Sequence, residues 1–287
     1  MQIIEQYSKG KHPDIPNEDQ ITALSSGGEE GLLMAAVIDG ATPKTSFRFP
    51  DGETPGHFAA RTIAEALLMI SREKLLSDAA DTIRFISRWL DCQTNQQMHD
   101  SPFFSTPTAS VVILDCTGKK VIQVGDCPFA FVMNDGSVIE HRNEKRIDHV
   151  LADWRSSINK SYLSRGIMTL DEIASNDPGR AIIQPFITQQ VRWQNADPSV
   201  PYSFGVIDGS DVPTEFIKIH FVPEEASEII LASDGLPRLF GTLSESLKHL
   251  HEASSSDPLC ISILRGTKGL RQGAEFPDDV SYMRIKV

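Results

Sequence analysis

Three short apolar runs in this chain end at an acid. Leu32-Leu33-Met34-Ala35-Ala36-Val37-Ile38 is unbroken by a polar residue and stops at Asp39-Gly40. Ile229-Ile230-Leu231-Ala232 leads through Ser233 to Asp234-Gly235, and Val121-Ile122-Gln123-Val124 leads to Gly125-Asp126. Runs this short predict strands buried on both faces better than helices. Other stretches alternate: Ile217, Ile219 and Phe221 against Lys218 and His220 predict a half-buried strand. Strands are also expected at 110–115, 129–133, 137–140 and 280–287. Asn134-Asp135-Gly136 is a hairpin signal between two of them. A short strand and a polar loop with Pro13 and Pro16 open the chain, and Ser25-Ser26-Gly27-Gly28 reads as a turn.

Helical spacing appears elsewhere. Ile63, Leu67 and Ile70 form one stripe within 57–73, and Ile83, Ile86 and Leu90 another within 78–90. Residues 143–176 read as mostly helical, with Thr169 to Glu172 as a capping box. Helices are also expected within 242–253 and 257–265. Loops are expected at 41–56 and 92–108, while 178–213 is rich in turns and resists assignment. Hairpin-joined strands and paired helices predict a layered α+β fold rather than a βαβ alternation. No linker divides residues 1–287, so one domain is expected.

Composition changes this picture little. Hydrophobic residues make up 40% and charged residues 23% of 287, ordinary for a soluble globular protein. The net charge of -12 argues against a nonspecific nucleic-acid surface and against charge-driven binding to anionic membranes. Cysteines 92, 116, 127 and 260 include no C-x-x-C pair, so zinc and redox-pair readings are weak. With no apolar signal core or membrane-length stretch, a reduced cytoplasmic setting is the default expectation.

The acids at strand ends suggest chemistry. Oxygen ligands suit magnesium and manganese. Carboxylates around two such ions can hold a water between them, lower its pKa and clamp an in-line displacement, which suits phosphoester hydrolysis. Asp-Gly is also a common turn pair, and Asp51-Gly52, Asp135-Gly136 and Asp208-Gly209 read as turns. Asp39-Gly40 and Asp234-Gly235 differ in the apolar run before each.

Taken in order, the motifs resemble a known family. Asn17-Glu18-Asp19, Val37-Ile38-Asp39-Gly40, Val124-Gly125-Asp126, Leu231-Ala232-Ser233-Asp234-Gly235-Leu236 and Asp278-Asp279-Val280-Ser281 follow the order and rough spacing of the type-2C, metal-dependent (PPM) protein phosphatases. Ala59-Ala60, Thr108-Ala109-Ser110 and the segment from Arg165-Gly166 to Ala174 resemble further landmarks of that family. The resemblance implies a four-layer α-β-β-α sandwich of two antiparallel sheets flanked by helix pairs. It implies two manganese or magnesium ions, with a third possible, that serve hydrolysis of phosphoserine or phosphothreonine in a protein substrate. Carried over by motif, Glu18, Asp19, Asp39, Asp234 and Asp278 are metal-site acids, with Asp39 and Asp234 central to catalysis. Gly40 offers its carbonyl through water, and Asp126 matches an acid of the weaker third site.

The departures lie on the substrate side. The family's phosphate-holding arginine, four residues before the motif glutamate, is Asp14 here, with Lys11 and His12 nearby but out of register. D-G-x-G-G becomes Asp39-Gly40-Ala41-Thr42-Pro43, G-D-S-R becomes Gly125-Asp126-Cys127-Pro128, and D-N becomes Asp278-Asp279. Arg48 and Arg61 are candidate replacements for the arginine, and His57 a candidate proton donor. Against each stands a plain surface or helix role. Two alternatives to a protein phosphatase follow: a pseudophosphatase or phosphate- or metal-sensing regulator, and a small-molecule phosphohydrolase.

Overall fold

The runs that are apolar without alternation prove to be strands covered on both sides. In the computed structural model of the protein, which describes residues 1–26, 31–70, 78–97, 106–271 and 273–287, two five-stranded antiparallel sheets pack face to face. One sheet has the order β2 (Asp19–Ser25), β3 (Leu32–Gly40), β4 (Ala109–Asp115), β5 (Lys120–Val124), β8 (Lys218–Phe221). The other runs β1 (Gln2–Lys9), β10 (Val280–Lys286), β9 (Ala226–Ala232), β6 (Phe129–Met133), β7 (Val138–His141).

Strand β3 explains the layering. Its Ala35 and Val37 join Val112, Leu114, Phe129, Phe131, Ile229, Leu231 and Met283 between the sheets. Its Met34, Ala36 and Ile38 face the other way, under helices α1 (Pro55–Met69) and α2 (Ala79–Gln97). The helical stripe residues Ile63, Leu67, Ile83, Ile86 and Leu90 complete that layer. Each such side chain taken fully out of water contributes about 1.5–3 kcal/mol. On the far side, Ile230, Ala232, Val280 and Tyr282 pack with Leu236, Leu239, Phe276 and Leu250 of α6 (Leu243–Ser256).

The helix expected at 257–265 is replaced by turns. The Asp257 carboxylate accepts from the backbone N–H groups of Ile261, Ser262, Ile263 and Leu264 at 2.7–3.1 Å. One acid thus captures the donors that a helix would have left to its own carbonyls. The other departure is α5 (Pro178–Gln189), in a stretch with no assigned structure in the sequence reading. Its start carries a readable signal: Asp177 accepts from Arg180 N at 2.7 Å, and Pro178 occupies the first turn. Pro185 inside this helix masks it in a sequence reading. Helix α5 packs on α3 (Arg146–Ser164) through Ile147, Leu151, Ile183 and Ile187.

Smaller expectations hold. The Asn134-Asp135-Gly136 hairpin joins β6 and β7, with Gly136 at φ +83. The Thr169–Glu172 capping box opens α4 (Leu170–Ser175). Helix α2 continues through 92–97, where a loop is expected; 98–105, Gly27-Gly28 and 71–73 lie outside the described residues. Among the described residues, no helix is long and apolar enough to cross a membrane.

Candidate active site

Strand register brings the acids to one end of the sandwich. Asp19 on β2 lies opposite Asp39 on β3, and Asp39 lies opposite Ser110 on β4. Asp126 follows β5 and binds the Ser110 hydroxyl. From the other sheet come Asp234, just beyond β9, and Asp278-Asp279, just before β10. The sheets meet where Asp234 N–H donates to Asp39 Oδ2 at 3.4 Å. Asp39, Asp126, Asp234 and Asp278 line a common cavity of about 150 Å³, rimmed by Ala41, Thr42 and Lys44 of the 41–56 loop. A second cavity, about 330 Å³, shares Asp126, Asp234 and Asp278 and extends past Pro237, Leu250, Leu264 and Pro277.

Close backbone approach shapes this end. A side chain on Gly40 would place its Cβ 2.2 Å from Gly56 O and 2.6 Å from Glu18 O, so β3 can end against the start of α1 only with glycine. There Thr54 caps α1 and its hydroxyl donates to Glu18 Oε1 at 2.7 Å.

The acids fall into two electrostatic classes. Burial, then the charges of Asp234, Asp19 and Asp126, pushes the Asp39 carboxyl well above the ordinary range. Asp19 is raised chiefly by burial, against a hydrogen bond from Ser233, with the charges of Asp279, Asp278 and Asp234 adding to the rise. Desolvation by the cleft walls, then Asp126 and Asp278, pushes Asp234 up to about 7, although the residue itself is exposed at the cavity mouth. The second class is held down. Burial would raise Asp126, but Lys145 at 2.8 Å and the Ser110 hydroxyl outweigh it. For Asp278 burial is again opposed, by Lys268 at 2.6 Å on one oxygen and Lys11 at 3.1 Å on the other.

The first class fits a hard cation. Asp19 is 2% exposed, and its Oδ2 has no hydrogen-bond partner. A buried carboxylate oxygen left unpaired is costly, and an all-oxygen donor set suits magnesium or manganese. Even so, among the described residues no three His, Cys, Asp or Glu side chains already stand close enough to form a metal-binding group.

The architecture has known counterparts. No protein-family model matches the sequence, and no curated protein matches it. Among solved structures, a bacterial serine phosphatase matches over 99% of this chain and 96% of its own, with a TM-score of 0.51 at 12% identity. Stp1, a serine/threonine phosphatase from Staphylococcus aureus, matches over 99% of this chain and 94% of its own, with a TM-score of 0.51 at 14% identity. The chain has the bacterial serine/threonine phosphatase fold. That is the sandwich which the order of the acidic motifs implied.

The arginine candidates from sequence are elsewhere. Arg48 is exposed and donates to Phe47 O at 2.7 Å. Arg61 is held by Glu53 at 3.0 Å and Glu65 at 2.8 Å, and His57 lies 3.4 Å from Glu53. The cations that do reach the 150 Å³ cavity are Lys44, Lys145, Arg180 and Lys268. They come from four separate segments, and no motif joins them. Burial, then Lys268, with Arg180 and Lys145 adding less, brings Lys44 down to about 8, against a pull from Asp148.

Cys127 directly follows Asp126 yet is fully buried in the core between the sheets, while Cys92 is exposed. Brief treatment of the native protein with a thiol-blocking reagent is therefore expected to label Cys92 and leave Cys127 unmodified, as peptide mass mapping would report. Rapid labelling of Cys127 would contradict this packing.

Proposed function

We propose that the protein is a metal-dependent phosphatase, one domain over residues 1–287, acting on phosphoserine or phosphothreonine esters of a protein substrate. The observation that carries this reading is the convergence of Asp39, Asp126, Asp234 and Asp278 from both sheets on one cavity, with Asp19 beside Asp39 and its buried oxygen unpartnered. The fold shared with serine/threonine phosphatases supports it.

Asp39 and Asp234 would hold a manganese or magnesium ion together with Asp19, which lies opposite Asp39 on the neighbouring strand. When bound, such an ion lowers the pKa of a coordinated water and offsets charge on a phosphoryl group. Asp126 stays ionised under Lys145 and Ser110 and can orient a water at the rim. Lys44, Arg180 and Lys268 would take the part of the missing arginine by facing the phosphoryl oxygens. The larger cavity, with apolar Leu250 and Leu264 beside Arg142 and Arg265, has room for residues flanking a phosphorylated side chain.

The test is hydrolysis of p-nitrophenyl phosphate and of a phosphothreonine peptide, each with manganese and with EDTA. Manganese-dependent turnover of both is expected. Activity on the small ester alone would point to a metabolite phosphohydrolase. The two lysines on Asp278 favour a second reading, a regulator that binds phosphate or metal without turnover. Its signature would be binding with no hydrolysis of either substrate. For the phosphate-holding role, Lys44→Ala is expected to raise KM for p-nitrophenyl phosphate roughly ten- to a hundredfold, the scale of a hydrogen bond to a charged group, with kcat changed less. An unaltered KM in saturation kinetics would remove Lys44 from this role.

A further inference from the structure

Behind the cleft, Glu18, Asp278 and Asp279 form a carboxylate group that already contains a cation. The Lys11 Nζ lies 3.1 Å from Glu18 Oε2, 3.1 Å from Asp278 Oδ1, 2.9 Å from Asp279 Oδ2 and 3.0 Å from Thr42 Oγ1. Four oxygens thus surround an ammonium with three protons, at the distances of charge-assisted hydrogen bonds. The lysine is 6% exposed. Its backbone is fixed as well: Lys11 N donates to Asp279 Oδ1 at 2.8 Å, and Glu18 N donates to Asp279 Oδ2 at 3.2 Å. A buried ammonium is tolerated only where several partners compensate its lost hydration. Here its donors are fully engaged, so it is not free to reach a substrate.

The other half of the cluster is built differently. Among the described residues, no Lys, Arg or His forms an ion pair with Asp19, Asp39 or Asp234. The unpartnered, buried Asp19 Oδ2 lies in this half. Asp278 has both of its oxygens taken by lysines, Lys11 and Lys268.

We propose that the Lys11 ammonium takes the place of one divalent cation in this carboxylate cluster, so that the protein binds a single manganese or magnesium ion, between Asp39, Asp234 and Asp19. This inference rests on reading the cluster as metal-binding. A chain-borne charge in the second position makes half of the site independent of metal supply. It also accounts for the second acid of Asp278-Asp279 where the resembling family has asparagine: the added carboxylate grips Lys11 through both its oxygens.

The test is calorimetric titration with Mn2+ of the wild type, of Lys11→Met, and of Lys11→Met combined with Asp279→Asn, which removes one of the charges the lysine leaves behind. One ion per chain is expected in the wild type and two in the variants. Electron paramagnetic resonance at saturation should show an isolated six-line Mn2+ spectrum in the wild type and a spin-coupled pair in the variants. Two ions in the wild type, or equal stoichiometry in wild type and a folded variant, overturns the inference and leaves metal dependence standing. No Mn2+ binding to any of the three overturns both. If neither variant folds, even with manganese, Lys11 is a structural pin and the inference fails.

Discussion

Asp234→Asn is expected to lower manganese-dependent hydrolysis of a phosphothreonine peptide by at least about a hundredfold, the scale of a lost electrostatic contact at a reacting centre. Asparagine keeps the size of the side chain and removes the charge that offsets a divalent ion. The manganese-induced rise in melting temperature should shrink with it, because stabilisation by a ligand follows its affinity for the folded state. Without metal the sign reverses. Desolvation, Asp126 and Asp278 raise Asp234 to about 7. A carboxyl raised in this way contributes stability that is fully present below its unfolded pKa and lost as pH rises through the folded one. Between about pH 4 and 7 the carboxyl is ionised in the unfolded chain but neutral in the folded one, so folding must take up a proton that asparagine does not need; above pH 7 the full repulsion is in place. The metal-free variant should therefore match the wild type only near pH 4, already melt higher at pH 6, and show its largest advantage at pH 8. Wild-type turnover of Asp234→Asn at saturating manganese would remove this residue from the centre.

Arg155→Met is expected to be the most destabilising of the variants considered, by about 3–5 kcal/mol, the range for removing one partner of a buried charged network. The guanidinium is 1% exposed. It donates to the carbonyls of Cys260, Gly266 and Leu259 at 2.8–3.1 Å and to Asp177 at 2.7 Å. It thereby ties α3 to the cap of α5 and to the turns that replace the expected helix. Methionine would fill part of the space and leave those acceptors unpaired. A fall in melting temperature of roughly 10 °C follows for a chain of this size. Since Lys268 is carried by the same segment, its pairing with Asp278 should loosen too. A thermal melt within about 1 kcal/mol of wild type would mean that water replaces the arginine without loss.

Much of this could be read in the chain because burial leaves a periodic trace. The β3 run, the α1 and α2 stripes and the Asn134-Asp135-Gly136 turn each carry their own local cause. Asp39, Asp234 and Asp126 were legible because each follows an apolar run, Asp19 and Asp278 were legible only through the family resemblance, and the strand register then places Asp19 beside Asp39. The cations were not. Lys44, Lys145, Arg180 and Lys268 reach one cavity from four segments, and a solvated lysine looks the same in sequence as one turned inward. Lys11 sits in a polar loop, and only the positions of Glu18, Asp278 and Asp279 around it reveal its role. The turns at 257–265 were misread because a single side chain, Asp257, overrides helical propensity by binding four amides. Helix α5 was lost to an internal proline despite a readable cap.

The acids of the cleft belong to different sheets, and this bears on how the chain reaches its folded state. Asp39 and Asp234 touch across 195 positions, and Lys11 meets Asp279 across 268. Contacts so distant in sequence carry a large loop-closure cost and form slowly. On the ribosome, a chain that has not yet emerged as far as Asp278 lacks two of the three acids that grip Lys11, and one that ends before Asp234 also lacks the acid that meets Asp39 from the other sheet. It offers a divalent cation only the isolated acids of one sheet. On the proposed metal-binding reading, tight cation capture therefore comes last in biogenesis, and a truncated or half-folded chain competes poorly for metal.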